Sequence, residues 1–316
     1  MSLTNFPNGI TSFGVPVMPA VMPYVTTGNV FFVHASTGAD LASQGKTPTA
    51  PFKTLDYAIG QCTASKGDVI YCMPGHTDTI IAAGTITADV AGISIIGLGA
   101  GLLRPTITYT TAAAGTFAVS GANITIKNMI FNANFADIVA AVVVTGKDFT
   151  LEGCLFKEQA ANMNFLTCIA TGAVANGADG LSVIRCERIS IDAAALAFVS
   201  ILEACNRLSL IGNFDNQSSA ANVGHFLIQG AFTVLGAKII GNILQLNGDN
   251  NAQTVGVFAT GSSTDCTGVM AYNLVGSLDT TTELIITATL DYQQFQNFYT
   301  GTIAASGKLW PAVDGA

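Results

Sequence analysis

Charge is what this sequence has least of. Only 10% of its 316 residues are Asp, Glu, Lys or Arg, against about 25% in a typical soluble domain. Twelve scattered basic residues face twenty acidic ones, a formal net charge of −8, which excludes the basic stripe that nucleic-acid binding requires. No stretch reaches the ~18 consecutive apolar residues of a membrane span. The longest apolar runs, 138–144 and 193–202, suit buried strands. With no basic residue before Lys46 and an apolar N-terminus broken by prolines, a secretory leader is not expected. Neither nucleic acid nor a membrane is therefore an expected partner.

Other absences narrow the chemistry. The seven cysteines, at 62, 72, 154, 168, 186, 205 and 266, include no CxxC pair. They read as small apolar core fillers in a reducing compartment. His34, His76 and His225 lie too far apart for metal-ligand spacing, so no metal or cofactor is expected. There is one tryptophan, Trp310, which leaves few aromatic platforms for sugar. No nucleophile elbow or phosphate loop appears, and the glycines of 97–101 lead into further strand. Between Pro105 and Pro311 there is no proline at all, as continuous strand ladders demand, because each proline removes a ladder hydrogen bond.

What fills that proline-free stretch is a repeat. Apolar-x-apolar-x followed by a small or polar residue recurs at Ile93–Gly97, Ile124–Asn128, Phe149–Gly153, Leu181–Arg185, Leu208–Gly212, Ala237–Gly241 and Thr267–Ala271. The closing positions are 31, 25, 32, 27, 29 and 30 residues apart. A period of this size predicts a solenoid in which each rung packs only on its neighbours. Asn128, Asn213 and Asn242 fall near the rung corners, where a side-chain amide stack is expected. Cys154 and Cys186 each follow a closing position and are expected to stack on adjacent rungs.

Four segments follow. Residues 1–28 hold four of the nine prolines and no charge, and predict an extended arm, since proline disfavours helix and central strand. Its bulky apolar residues would be a liability in open water, so Phe6, Pro7, Phe13, Val15, Pro16 and Tyr24 are the candidate interface residues. Residues 29–76 predict a cap and the first strand. In it Val30–Val33 is a strand, and a short helix runs from Leu55 with Thr54 as its cap and Asp56 in its first turn. Residues 77–276 form the shaft. Residues 277–316 depart from the pattern and predict a C-terminal cap or subunit contact.

The segments His34–Asp40, Pro51–Ile59, Gly67–Gly75 and Ile93–Gly97 resemble the N-terminal part of pectate-lyase-like right-handed parallel β-helix proteins. That resemblance implies an all-β, right-handed solenoid and says little of chemistry, because the superfold hosts lyases, esterases, hydrolases and virion proteins. A second resemblance is narrower. Leu3–Gly9 with Ser12–Val17 looks like the N-termini of tailed-phage head proteins, and Asn297–Thr302 with Ala304–Leu309 looks like the ends of small β-helical phage proteins. It implies a capsid decoration (cement) protein, a homotrimer seated on the major capsid protein at the outer surface of the virion and made in the host cytoplasm.

A lyase of this fold would need acids clustered on adjacent rungs to hold calcium, and a glycosidase two carboxylates about 5–9.5 Å apart. Asp148, Glu152 and Glu187 come nearest, but do not stack by the register of the repeat. Asp148 is expected in a turn, and Glu187, between Arg185 and Arg188, in a solvated ion pair. The leading expectation is therefore a structural virion protein without enzymatic activity. The alternatives are a polysaccharide-degrading β-helix enzyme, such as a tailspike depolymerase or lyase, and a glycan-binding adhesin.

Overall fold

In each repeat two apolar side chains flank a polar one, and a strand sends alternate side chains to opposite faces. Rungs built this way put one column inward and one outward. The computed structural model describes residues 10–12, 15–17, 26–191, 194–218, 224–230, 232–246, 256–260, 266–277, 290–300 and 308–310. Its strands form a parallel β-solenoid of three long sheets. Sheet I stacks ten strands, from Val30–Val33 and Val69–Cys72 up to Cys266–Ala271 and Leu290–Phe295. Sheet II stacks nine parallel strands, from Thr77–Ile80 to Asn297–Thr300, with Lys308–Trp310 added antiparallel as the tenth. Sheet III has seven, from Ala83–Ala88 to Val257–Thr260.

Register keeps like on like. In sheet I, Phe31, Ile70, Ile95, Ile126, Leu151, Val183, Leu210, Ile239 and Met270 stack inward in one buried column. Sheet III contributes Ile86, Phe117, Val142, Ile169, Val199 and Phe226. Buried aliphatic side chains each contribute about 1.5–3 kcal/mol, so the shaft holds itself together from inside. The repeat slips once. Ile239 pairs with Met270, not with Val269, so the corner after Gly241 is Tyr272 and not Ala271. Val269 lies outward, 39% exposed.

Two corners per rung carry left-handed backbone. One follows the sheet I strands from Thr125–Lys127 onward, at Asn128, Gly153, Arg185, Gly212, Gly241, Tyr272 and Gln296. The other precedes it, at Gly67, Gly92, Asn123, Asp148, Gly180, Arg207 and Gly236. Glycine and asparagine are the ordinary occupants of such positions, which is why the closing residue of each repeat is small or polar. The expected amide stack forms one residue beyond the first corner. There the Nδ2 of Asn213, Asn242 and Asn273 donates to the Oδ1 of Asn242, Asn273 and Asn297 at 3.0, 2.8 and 3.0 Å. Asn128 does not join it and donates instead to the carbonyls of Gly97 and Gly99. Cys154 and Cys186 occupy the same column lower down, and the Cys186 thiol donates to Leu151 O of the adjacent rung at 3.5 Å.

At the base, Val30–Val33 pairs directly with Val69–Cys72 and is itself the first strand of sheet I. The helix Leu55–Gly60 closes the end with Leu55, Ala58 and Ile59 buried, and the Thr54 hydroxyl accepts the Tyr57 N–H. At the other end, Leu290–Phe295 and Asn297–Thr300 add a further parallel strand to sheets I and II. Of the N-terminal segment, Ile10–Ser12 and Val15–Val17 pair as an antiparallel hairpin that includes Val15 and Pro16. Phe6, Pro7, Phe13 and Tyr24 lie outside the described residues.

Candidate functional site

The outer face of sheet I carries a column of hydroxyls. Ser94, Thr125, Thr150, Ser182 and Ser209 stand in register on successive strands, followed by Lys238. Strands in a sheet lie about 4.8 Å apart, so the column presents one polar group per rung. Beside it, two residues upstream on each rung, run Asp148, Gly180, Arg207 and Gly236. Together Asp148, Thr150, Gly180, Ser182, Arg207, Ser209, Gly236 and Lys238 line a groove of about 400 Å³.

Gly180 shapes this groove. Its φ of +79° favours glycine, and a Cβ placed there would meet Asp148 Oδ1 at 2.2 Å and Arg207 Nη2 at 3.2 Å. The Asp148–Arg207 pair, 2.9 Å apart, reaches over that missing side chain. Further along the strand Glu152 is held between Lys127, at 2.5 Å, and Arg185. Four cations therefore meet two carboxylates on one face of a chain whose net charge is −8. Such a surface suits hydroxyl-rich or anionic ligands.

Of the three sequence-predicted acids, the structure brings two onto one face. Asp148 lies in the corner before the strand Thr150–Glu152 and Glu152 at its end; they sit four residues apart, up to about 13 Å at 3.3 Å per residue, and each is neutralised by a base. Glu187 points outward from sheet II, in register with Leu155 and Phe214, and joins neither. Its neighbour Arg188 corrects the expectation of a solvated pair. Arg188 is 1% exposed, and Nε and Nη2 donate to the two Asp215 oxygens at 2.6 and 2.9 Å. Asp215 also meets His225 Nδ1 at 2.5 Å and accepts from Gln217 at 2.6 Å. Glu158, likewise buried, accepts from Ser190 and the Ile191 N–H.

The sequence reading missed this interior cluster because Arg188 and Asp215 look like surface residues when taken singly. A signal was present. Register by the repeat places both three residues past a corner, where Phe131 and Phe156 sit on the rungs below. The thiols fit the filler reading: burial pushes Cys62 and Cys205 up to about 12 and raises Cys72, Cys168 and Cys186 further.

No family model matches the chain. No curated protein matches it either. Among solved structures it is similar to a rhamnogalacturonan lyase, at 14% identity and a TM-score of 0.51, over 87% of this chain and 74% of the other. It is also similar to YbhC of Escherichia coli, at 9% identity and a TM-score of 0.53, covering 94% and 91%. A pectin methylesterase from Aspergillus niger aligns at 12% identity and a TM-score of 0.41, covering 94% and 93%. These likenesses define the class by fold alone: a parallel β-helix of the kind found in polysaccharide-acting enzymes. The expectation of a chain that is not an enzyme is corrected: the fold it shares with the rhamnogalacturonan lyase is one that carries catalysis.

Proposed function

We propose that this chain is a structural component of a phage virion, packed side by side with copies of itself on the major capsid protein. One observation carries the reading, an apolar strip on the outer face of sheet II. Phe214, Ile243, Leu274 and Phe298 stand in register on four successive strands, pointing outward. Ile243 and Phe298 are each 39% exposed, and beside them Tyr272 and Phe295 meet edge to face at 5.5 Å, both more than half exposed. A continuous outward apolar strip is a contact surface. The low charge of the whole chain fits a shaft whose sides are covered by like shafts, and a homotrimer closes such contacts. The uncharged N-terminal segment, with Phe6, Pro7, Phe13, Val15, Pro16 and Tyr24 as anchors, would clamp the shell or a neighbouring copy. Ile243→Lys combined with Phe298→Lys tests this. The expected result is loss of the trimer in sedimentation velocity and loss of saturable binding to capsids that lack the protein. A double variant that still trimerises and still fills its capsid sites overturns the reading.

The groove on sheet I favours a second reading, in which the shaft binds or processes a glycan. Hydroxyls one per rung, with Lys238 and Arg207 beside them, suit a hydroxyl-rich chain bearing negative charge. Incubation with host polysaccharide, following bound protein and released reducing ends, separates the two. Binding or release that disappears in Lys238→Ala supports the glycan reading, and neither effect in the wild-type protein removes it.

A further inference from the structure

His76 is anomalous. It sits in the turn between Val69–Cys72 and Thr77–Ile80, wholly buried, and neither ring nitrogen has a hydrogen-bond partner among the described residues. Buried polar groups are almost always paired, because an unpaired one costs about 1–3 kcal/mol. Its nearest carboxylate is Asp78, with Nε2 to Oδ2 at 3.9 Å, beyond hydrogen-bond reach. That same Oδ2 is occupied: it accepts the N–H of Leu55 at 2.8 Å, while Oδ1 accepts the Thr79 N–H at 2.9 Å.

Leu55 is the first residue of the helix that closes the base of the shaft. Asp78 is thus one of the ties holding the helix down. The others are Asp40, which accepts from the Lys53 and Thr54 backbone and the Thr54 hydroxyl, and Asp56, which accepts the Thr87 N–H at 3.0 Å. The titratable groups around His76 and Asp78 are His34 from the first strand, Cys72 from the second and Asp40 from the loop.

We propose that His76 and Asp78 form an acid-opened latch: a proton taken from solvent onto the buried imidazole draws the Asp78 carboxylate off the Leu55 N–H, and the helix Leu55–Gly60 lifts from the base of the shaft. An imidazolium in this dry pocket needs a counter-ion, and Asp78 is the carboxylate within reach. Lifting the helix uncovers Leu55, Ala58 and Ile59 and the apolar end of the shaft that they close, while the edge of Val30–Val33 stays paired with Gly45 and Phe52.

Burial first, and then the charge of His34, lowers the His76 pKa to about 4. A histidine depressed in the closed state contributes stability that is complete above about 6.5 and is lost as pH falls towards 4. Asp78 shifts the opposite way, raised mainly by burial, and its protonation at lower pH returns part of that loss. The sensitive window is therefore between about 6.5 and 4.

Hydrogen–deuterium exchange on the full chain at pH 7 and pH 5, corrected for intrinsic exchange rates, reads the latch. Exchange in peptides covering 55–61 is expected to rise about 20-fold at pH 5, while peptides covering 125–152 stay protected. His76→Phe and His76→Gln are both expected to abolish that rise. Protection of 55–61 that does not change with pH overturns the latch, as does a rise that survives in either variant. Should neither variant fold, the ring nitrogen shifts of His76 in the wild-type protein decide: an imidazole still neutral at the pH where the helix opens overturns it.

Discussion

The lower and upper halves of the shaft solve one packing problem in two ways. One residue past each sheet I corner, the lower rungs place Met129, Cys154 and Cys186, and the upper rungs Asn213, Asn242, Asn273 and Asn297. All of them are buried. In the upper half the two central amides, those of Asn242 and Asn273, are each spent on four groups. Asn242, for example, accepts the N–H and side chain of Asn213 and donates to Leu210 O and Asn273 Oδ1. The inward column of sheet II divides similarly. Below, Phe131 stacks on Phe156 at 5.1 Å; above, Arg188 stacks on Asp215, with the guanidinium 5.7 Å from the Phe198 ring centre. Dispersion fills both columns in the lower rungs; above, satisfied hydrogen bonds fill the corner column, while the sheet II column returns to Leu244 and Val275 after its two polar rungs. Apolar columns tolerate substitution of similar volume, whereas a polar column is stable only while every member keeps its partners.

Breaking the polar half should cost most at its charges. Asp215→Ala leaves the Arg188 guanidinium buried without its carboxylate and is expected to cost about 3–5 kcal/mol in denaturant unfolding. The paired change Arg188→Met with Asp215→Leu should recover part of that loss, since the desolvation penalty disappears with both charges while His225 and Gln217 still lose the carboxylate they share. Next comes Asn242→Ala, which strands the amide of Asn213 and the carbonyl of Leu210. About 2–3 kcal/mol is expected, read by the same melt. Cys186→Asn sharpens the comparison. The Cys186 thiol already donates to Leu151 O at 3.5 Å, and its N–H already donates to Asn213 Oδ1 at 2.9 Å. An asparagine there would extend the amide ladder downward, and a change within about 1 kcal/mol is expected. A loss well above that would show that the lower rungs cannot accept the upper solution. The smallest effect belongs to the outer face. Asp148→Ala removes a half-exposed partner of Arg207 and should shift stability by less than about 1 kcal/mol.

The repeat, the cap and the corners were legible because each rests on local chemistry. Alternation of apolar residues, Thr54 before a short helix and small residues at left-handed corners are dictated within a few positions of chain. The single register slip at Val269–Met270 was not legible, since Gly268 and Ala271 both pass for corner residues. The groove was half legible: Asp148 and Glu152 belong to one repeat, but Arg207, Ser182, Ser209 and Lys238 become their neighbours only when rungs stack. The same holds for Arg188 and Asp215, which the sequence alone presents as ordinary surface charges.

What the sequence determined by itself is that the chain winds as a solenoid, because a period near 29 residues and alternating burial leave each rung a face to cover and only its neighbours to cover it. Only the tertiary structure decided which polar residues go inside. A charged side chain two or three residues past a corner, as Glu187 and Arg188 are, points outward or inward according to register, and register is fixed by pairing with rungs about thirty residues away. The buried Arg188–Asp215 pair, the orphaned His76 beside Asp78 and the hydroxyl column of sheet I all follow from that long-range pairing.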